Sequence, residues 1–204
     1  MAIAINGSGT MTGISVGGLP DGIVDSGTLA TNSVDSDELI NGAIDSGHLA
    51  SGVGGKIVQV VNTQTGALAT GTTVLPFDDT IPQNSEGDEY LTLAITPTNA
   101  SNVLRIQACF LIGHSTTNGS HCIALFQDST AGALATMDGF TDRVSDPQCV
   151  VLDYRMAAGT TSSTTFKIRG GAGGAGTTTI NGRAGARLYG GVNTSSLTIT
   201  EISA

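Results

Sequence analysis

Apolar and polar positions follow two different rhythms along this chain. From Asp21 to Ala50 the period is ten: DGIVDSGTLA, TNSVDSDELI and NGAIDSGHLA. In register, these copies align Val24, Val34 and Ile44, then the Asp-Ser steps at 25–26, 35–36 and 45–46, then Leu29, Leu39 and Leu49. From Ile57 onward the period is two, the spacing of a half-buried strand. Ile57 to Val61 opens this series, and Leu91, Leu93 and Ile95 alternate with Thr92 and Ala94. Leu104, Ile106, Ala108, Phe110 and Ile112 share one face of a long run, with Arg105 and Gln107 on the other. Cys122 to Phe126 is apolar throughout, Val150 to Met156 and Phe166 to Arg169 alternate, Leu188 and Tyr189 form a short run, and Leu197 and Ile199 open the last strand. About eight evenly spaced strands and no amphipathic helix predict an all-β, jelly-roll-like β-sandwich over 56–204.

The ten-residue unit has a physical consequence. Ordering ten residues costs roughly 10 to 20 kcal/mol of backbone entropy, and each aliphatic side chain returns only about 1.5 to 3 kcal/mol on burial. One copy of 21–55 therefore cannot fold alone. Parallel chains wound about a common axis can bury Val24, Leu29, Val34, Leu39, Ile44 and Leu49 as a shared seam, so the repeats are expected to form an oligomeric stem. Each Asp-Ser step suits a helix N-cap, giving a short extended segment and one helical turn per unit. Ahead of the repeats, Ala2 to Val16 reads as a small hairpin around Gly7-Ser8-Gly9, with Ile3, Ile5, Ile14 and Val16 as its apolar positions. The breaker clusters Gly17 to Gly22 and Gly52 to Gly55 divide the chain into a hairpin (1–20), a stem (21–55) and a sandwich (56–204).

Composition narrows the class. Only 12% of the 204 residues are charged and 29 are glycine, a mixture suited to Thr-rich strands and tight turns. Eight basic against 17 acidic residues give a net charge of −9, which argues against a nucleic-acid partner. Cys109, Cys122 and Cys149 are odd in number and lack Cys-x-x-Cys spacing, so packed, reduced thiols are expected in place of a disulfide framework or structural zinc. MAIAINGSGT has neither a basic region nor an apolar run of secretion-signal type, and no stretch approaches the roughly 20 apolar residues of a membrane helix. The expectation is a protein folded in a cytoplasm, without membrane insertion.

Several segments together carry a family likeness. The opening AINGSGTMTGISVGGLPDGIVD, the V-D-S-x-x-L repeats, the G-K-I-V-Q-V-V run into the β region, and ITPTNASNVLRI (Ile95 to Ile106) resemble short fibre proteins of tailed bacteriophages, of the type in phages of marine bacteria and cyanobacteria. The likeness touches most of 1–110. It implies a homotrimeric virion protein; separately, no G-x-S-x-G context holds the Ser, His and Asp elements of the chain, so neither enzymatic activity nor a cofactor is expected. The N-terminal hairpin would anchor to capsid or tail proteins, a three-chain stem would follow, and the jelly-roll knob would serve host attachment or capsid decoration. A host surface glycan is the implied ligand class, and no receptor-binding residue carries over.

Candidate chemistry is sparse. GGAGGAG (Gly170 to Gly176) lacks the Lys-Ser/Thr ending of a phosphate loop and reads as a flexible connection. His114 and His121 flank a polar loop containing Asn118; these three mark the candidate binding loop of the knob, and three copies of the histidines near an axis would suit a metal. Without a carboxylate at fixed spacing, the plain loop reading is preferred. Asp78-Asp79 and Glu86 to Glu89 offer oxygen ligands for calcium but no EF-hand spacing, and read as a solvated acidic loop. Binding loops are expected at 113–121, 128–148 and 170–186. The alternative reading is a monomeric secreted or surface carbohydrate-binding β-sandwich; 4% aromatic residues and no Trp weigh against it.

Overall fold

The computed structural model describes residues 4, 5, 11, 12, 44, 48, 56–116 and 119–204. The chain divides into two units, Met1–Gly54 and Gly55–Ala204. In the first, β1 (Ala4–Ile5) and β2 (Met11–Thr12) pair antiparallel, Ala4 opposite Thr12 and Ile5 opposite Met11. Ile44 has no regular structure and is 48% exposed, so its own chain leaves about half of this aliphatic uncovered. His48 lies exposed in a turn. The anchor positions Ile3, Ile14 and Val16 and the stem positions Val24, Leu29, Val34, Leu39 and Leu49 lie outside the described residues.

The second unit runs β3 (Ile57–Thr65), β4 (Ala69–Gly71), β5 (Asp88–Ile95), β6 (Val103–His114), β7 (Gly119–Gln127), β8 (Ala135–Thr141), β9 (Gln148–Ala157), β10 (Thr164–Ala172), β11 (Thr178–Ile180), β12 (Gly182–Arg183), β13 (Ala186–Arg187), a 3-10 turn (Tyr189–Gly191) and β14 (Ser195–Ile202). One antiparallel sheet has the order β5-β10-β7-β8. In the other, β3 pairs β14, β14 pairs β6, and β6 pairs β9, while β11 and β4 extend the far end of β6. The chain crosses between sheets at β4–β5, β5–β6, β6–β7, β8–β9, β9–β10 and β10–β11, which is the jelly-roll arrangement of two interlocked Greek keys.

Strict alternation on β6 explains the sandwich. Leu104, Ile106, Phe110 and Ile112 have no exposed surface, while the odd-numbered positions from Val103 to Leu111 stay half-buried on the outer face. They meet Ile123 and Leu125 of β7, Phe166 and Ile168 of β10, Leu152 of β9 and Ile199 of β14 in one core. A second cluster lies on the opposite face of β7, where Cys122, Ala124 and Phe126 are capped by Leu75. Leu75 belongs to a strap, 72–87, laid across the outer face of the sheet: its N–H bonds Ala172 O at 3.0 Å, Gly87 N–H bonds Val74 O at 3.0 Å, and Ala133 N–H bonds Pro82 O at 2.9 Å. This second cover is why Cys122 to Phe126 is apolar on both faces.

Three local readings need correction. Gly170 to Ala172 are the end of β10, so only 173–177 of the glycine-rich stretch connects strands. A side chain at Gly171 would meet Leu75 Cβ and Thr73 O at 2.9 Å, so this glycine serves close approach of the strap. Leu188 and Tyr189 form no strand; Tyr189 opens the 3-10 turn at φ 47°, with 77% of its surface exposed. The expected loop 128–148 contains strand β8.

Candidate binding surface at one end of the sandwich

The turns after β6, β8 and β10 converge at one end. Ser115 N–H donates to Thr177 O at 3.0 Å, Thr177 N–H donates to Ser115 Oγ at 2.8 Å, and Ser145 N–H donates to His114 O at 2.8 Å. Arg183 reaches Asp146 Oδ1 at 3.5 Å. Of the expected binding loops, the structure thus brings together 115–116, 142–147 and 173–177. The remaining loop, 128–134, meets the strap instead, where Asn84 N–H bonds Ala131 O at 2.7 Å.

His114 and His121 are not exposed loop side chains. They close the inner faces of β6 and β7, with 2% and 0% of their surface exposed. Alternation along each strand carries them inward with Ile112 and Ile123. His114 Nδ1 lies 2.8 Å from Thr116 Oγ1, a local pairing two residues apart. The His121 ring lies over Gly139, where a Cβ would stand 3.0 Å from both His121 Nε2 and Val150 Cγ2. Neither ring nitrogen of His121 has a hydrogen-bond partner among the described residues. Burial holds both imidazoles below the ordinary histidine range; for His121 the neighbouring His114 adds to this and Asp138 opposes it. Their role at this end is to fill the interior beneath the loops. Asn118 lies outside the described residues.

The outer rim is more accessible. Gly173 N–H approaches Ser120 O at 3.4 Å, Ser120 pairs directly with Phe140 of β8, and Phe77 of the strap packs over Gly173. Phe77 and Phe140 are 67% and 62% exposed and stand on either side of this row. Asp78 and Asp79 join Phe77 in lining a shallow depression. The rim therefore combines apolar rings with carboxylates, a surface for binding by contact. Sequence reading missed both rings, since neither lies on a periodic run and only the register sets them near one another.

The acidic groups at 86–89 are engaged locally. Asp88 accepts from Thr73 N–H at 3.0 Å and Thr73 Oγ1 at 2.8 Å, Glu86 accepts from Gln83 N–H at 2.8 Å, and Glu89 faces Lys167 and Arg169 at 3.8 and 3.7 Å. Among the described residues, no three His, Cys, Asp or Glu side chains converge as a metal site.

No protein-family model and no curated protein matches the chain. Among solved structures it is similar to the Eiger TNF of S. frugiperda, at 9% identity and TM-score 0.40 over 71% of this chain and 94% of that one. A chain from Bacillus endospore appendages, a family of disulfide-linked pili, gives 14% identity and TM-score 0.28 over 76% and 98%. VP2 from the subviral particle of infectious bursal disease virus gives 13% identity and TM-score 0.29, over 72% of this chain and 39% of VP2. Likenesses this slight carry no argument about function.

All three cysteines are free. Cys122 is packed as expected, and burial, with Asp138 nearby, pushes its thiol up to about 12. Cys109 and Cys149 depart from the expectation of packed thiols: both lie on the outer face of their sheet.

Proposed function

We propose that this chain is a non-enzymatic, homotrimeric structural protein of a phage virion, a short fibre or capsid decoration displaying a jelly-roll knob. The observation that carries the reading is the pairing of a ten-residue aliphatic repeat, unable to bury its own side chains, with a β-sandwich of jelly-roll order. The half-exposed Ile44 agrees with a seam completed by other copies. In this reading the hairpin at 1–20 attaches to capsid or tail proteins, and the rim between Phe77 and Phe140 meets the host surface or a neighbouring capsid subunit.

Light scattering on the full chain tests this. The expected mass is three times that of one chain, and the double variant Val34→Ser, Leu39→Ser is expected to dissociate or lose stem order. A monomeric full chain would remove the shared seam and favour the carbohydrate-binding module.

A further inference from the structure

The register of β6 and β9 sets Val151 opposite Cys109 and Cys149 opposite Leu111. Residues two apart on a strand share a face, so both cysteines stand on the outer face, on a diagonal between neighbouring strands. Their Sγ atoms are 3.5 Å apart. Cys109 is half-buried and Cys149 exposed. Cys122 lies apart in the other sheet, inside the cluster beneath Leu75. An odd cysteine count thus resolves into one pair and one packed thiol.

We propose that Cys109 and Cys149 form an oxidative cross-linking site, closing to a disulfide between β6 and β9 by exchange with a small-molecule disulfide. The Cys149 thiolate attacks one sulfur of the oxidant, forming a mixed disulfide and expelling one small thiolate. Cys109, deprotonated, then attacks Cys149 Sγ and expels the second. Two protein thiols and one small disulfide become one protein disulfide and two small thiols, so atoms and electrons balance. The order follows from access: Cys149 faces solvent, while burial, followed by the contact with Cys149, holds the Cys109 thiol above its usual range.

A bonded sulfur pair is about 2.05 Å long, so closure draws the two atoms about 1.5 Å together. β9 pairs no strand beyond β6 among the described residues, which leaves this edge free to make the adjustment. A bond across a diagonal is strained, and strained disulfides are the readily reduced ones. The pair would stay open in a reducing cytoplasm and close in an oxidising exterior. The inference rests on the sheet register and is independent of the proposed function.

The test treats the reduced, native full chain with oxidised glutathione and follows intact mass and non-reduced peptide maps. The chain is expected to lose two hydrogens, to yield a peptide pair joining Cys109 to Cys149, and to regain its mass with dithiothreitol. Cys122 should remain free for alkylation after unfolding. In Cys109→Ser, a glutathione adduct should accumulate on Cys149 without closure. A lasting adduct on Cys149 of the unaltered chain, a covalent dimer through Cys149, or equal labelling of all three thiols would each overturn the proposal. The map of the unaltered chain decides the matter even if the variant fails to fold.

Discussion

Glu201 points inward from β14 with no exposed surface, an unusual place for a carboxylate. Its Oε1 accepts from Thr98 N–H and Thr98 Oγ1 at 2.8 Å each and from Asn102 Nδ2 at 2.6 Å; Oε2 accepts from Gln59 Nε2 at 2.6 Å. Burial pushes this carboxyl up, but the hydrogen bonds from Gln59, Asn102 and Thr98 together outweigh it and hold it at about 2. A carboxyl depressed in the folded state contributes stability that is full above its unfolded value of 4.5 and is lost as pH falls towards about 2. Glu201→Gln is therefore expected to flatten the acid limb of a melting-temperature profile between those values. Glu201→Ala should cost about 1 to 3 kcal/mol in denaturant titration at neutral pH, since it takes the carboxylate acceptor from the buried Asn102 amide and from Thr98 and Gln59. Little of this was legible beforehand. Thr98 and Asn102 fall between two expected strands, and a bond to a residue about a hundred positions later leaves no local pattern.

Strands were legible in proportion to the asymmetry of their surroundings. β6 and β9 each have one face in the core and one outside, so their alternation named the buried residues correctly. β8 was lost because it is an edge strand with exposure at Thr136, Met137, Asp138 and Phe140, and its Gly139 makes room for a histidine ring. The strap 72–87 has no period at all; it is fixed by single hydrogen bonds and by Leu75. Gly171 records its presence. Gly171→Ala would push against Thr73 O and Leu75, and is expected to cost about 1 to 3 kcal/mol in urea unfolding, with faster proteolysis within 72–87. A retained unfolding midpoint would show that the strap shifts without loss.

At the scale of the whole chain, the all-β class and the sandwich architecture followed from strand spacing, whereas the order of strands and the loop cluster did not, because they depend on which strands pair and which connections share an end. The reading of the rim is checked by the double variant Phe77→Ala, Phe140→Ala in the full chain. Both rings are exposed, so stability should change by less than about 0.5 kcal/mol for each. Adsorption to host cells or to virions lacking the protein should fall at unchanged oligomeric mass. Undiminished adsorption would move the contact surface elsewhere.

The first and last strands of the sandwich are neighbours: Ile57, where β3 begins, pairs with Ile202, near the end of β14. Tension on the chain ahead of Ile57 is therefore received by a nine-residue strand that, among the described residues, is hydrogen-bonded along one side. Directed along β3, the load falls on every rung together, as in a lap joint under shear. Directed across the strands, it reaches the rungs one after another, as in a zipper. The same ladder is a strong fastening in one direction and a weak one in the other.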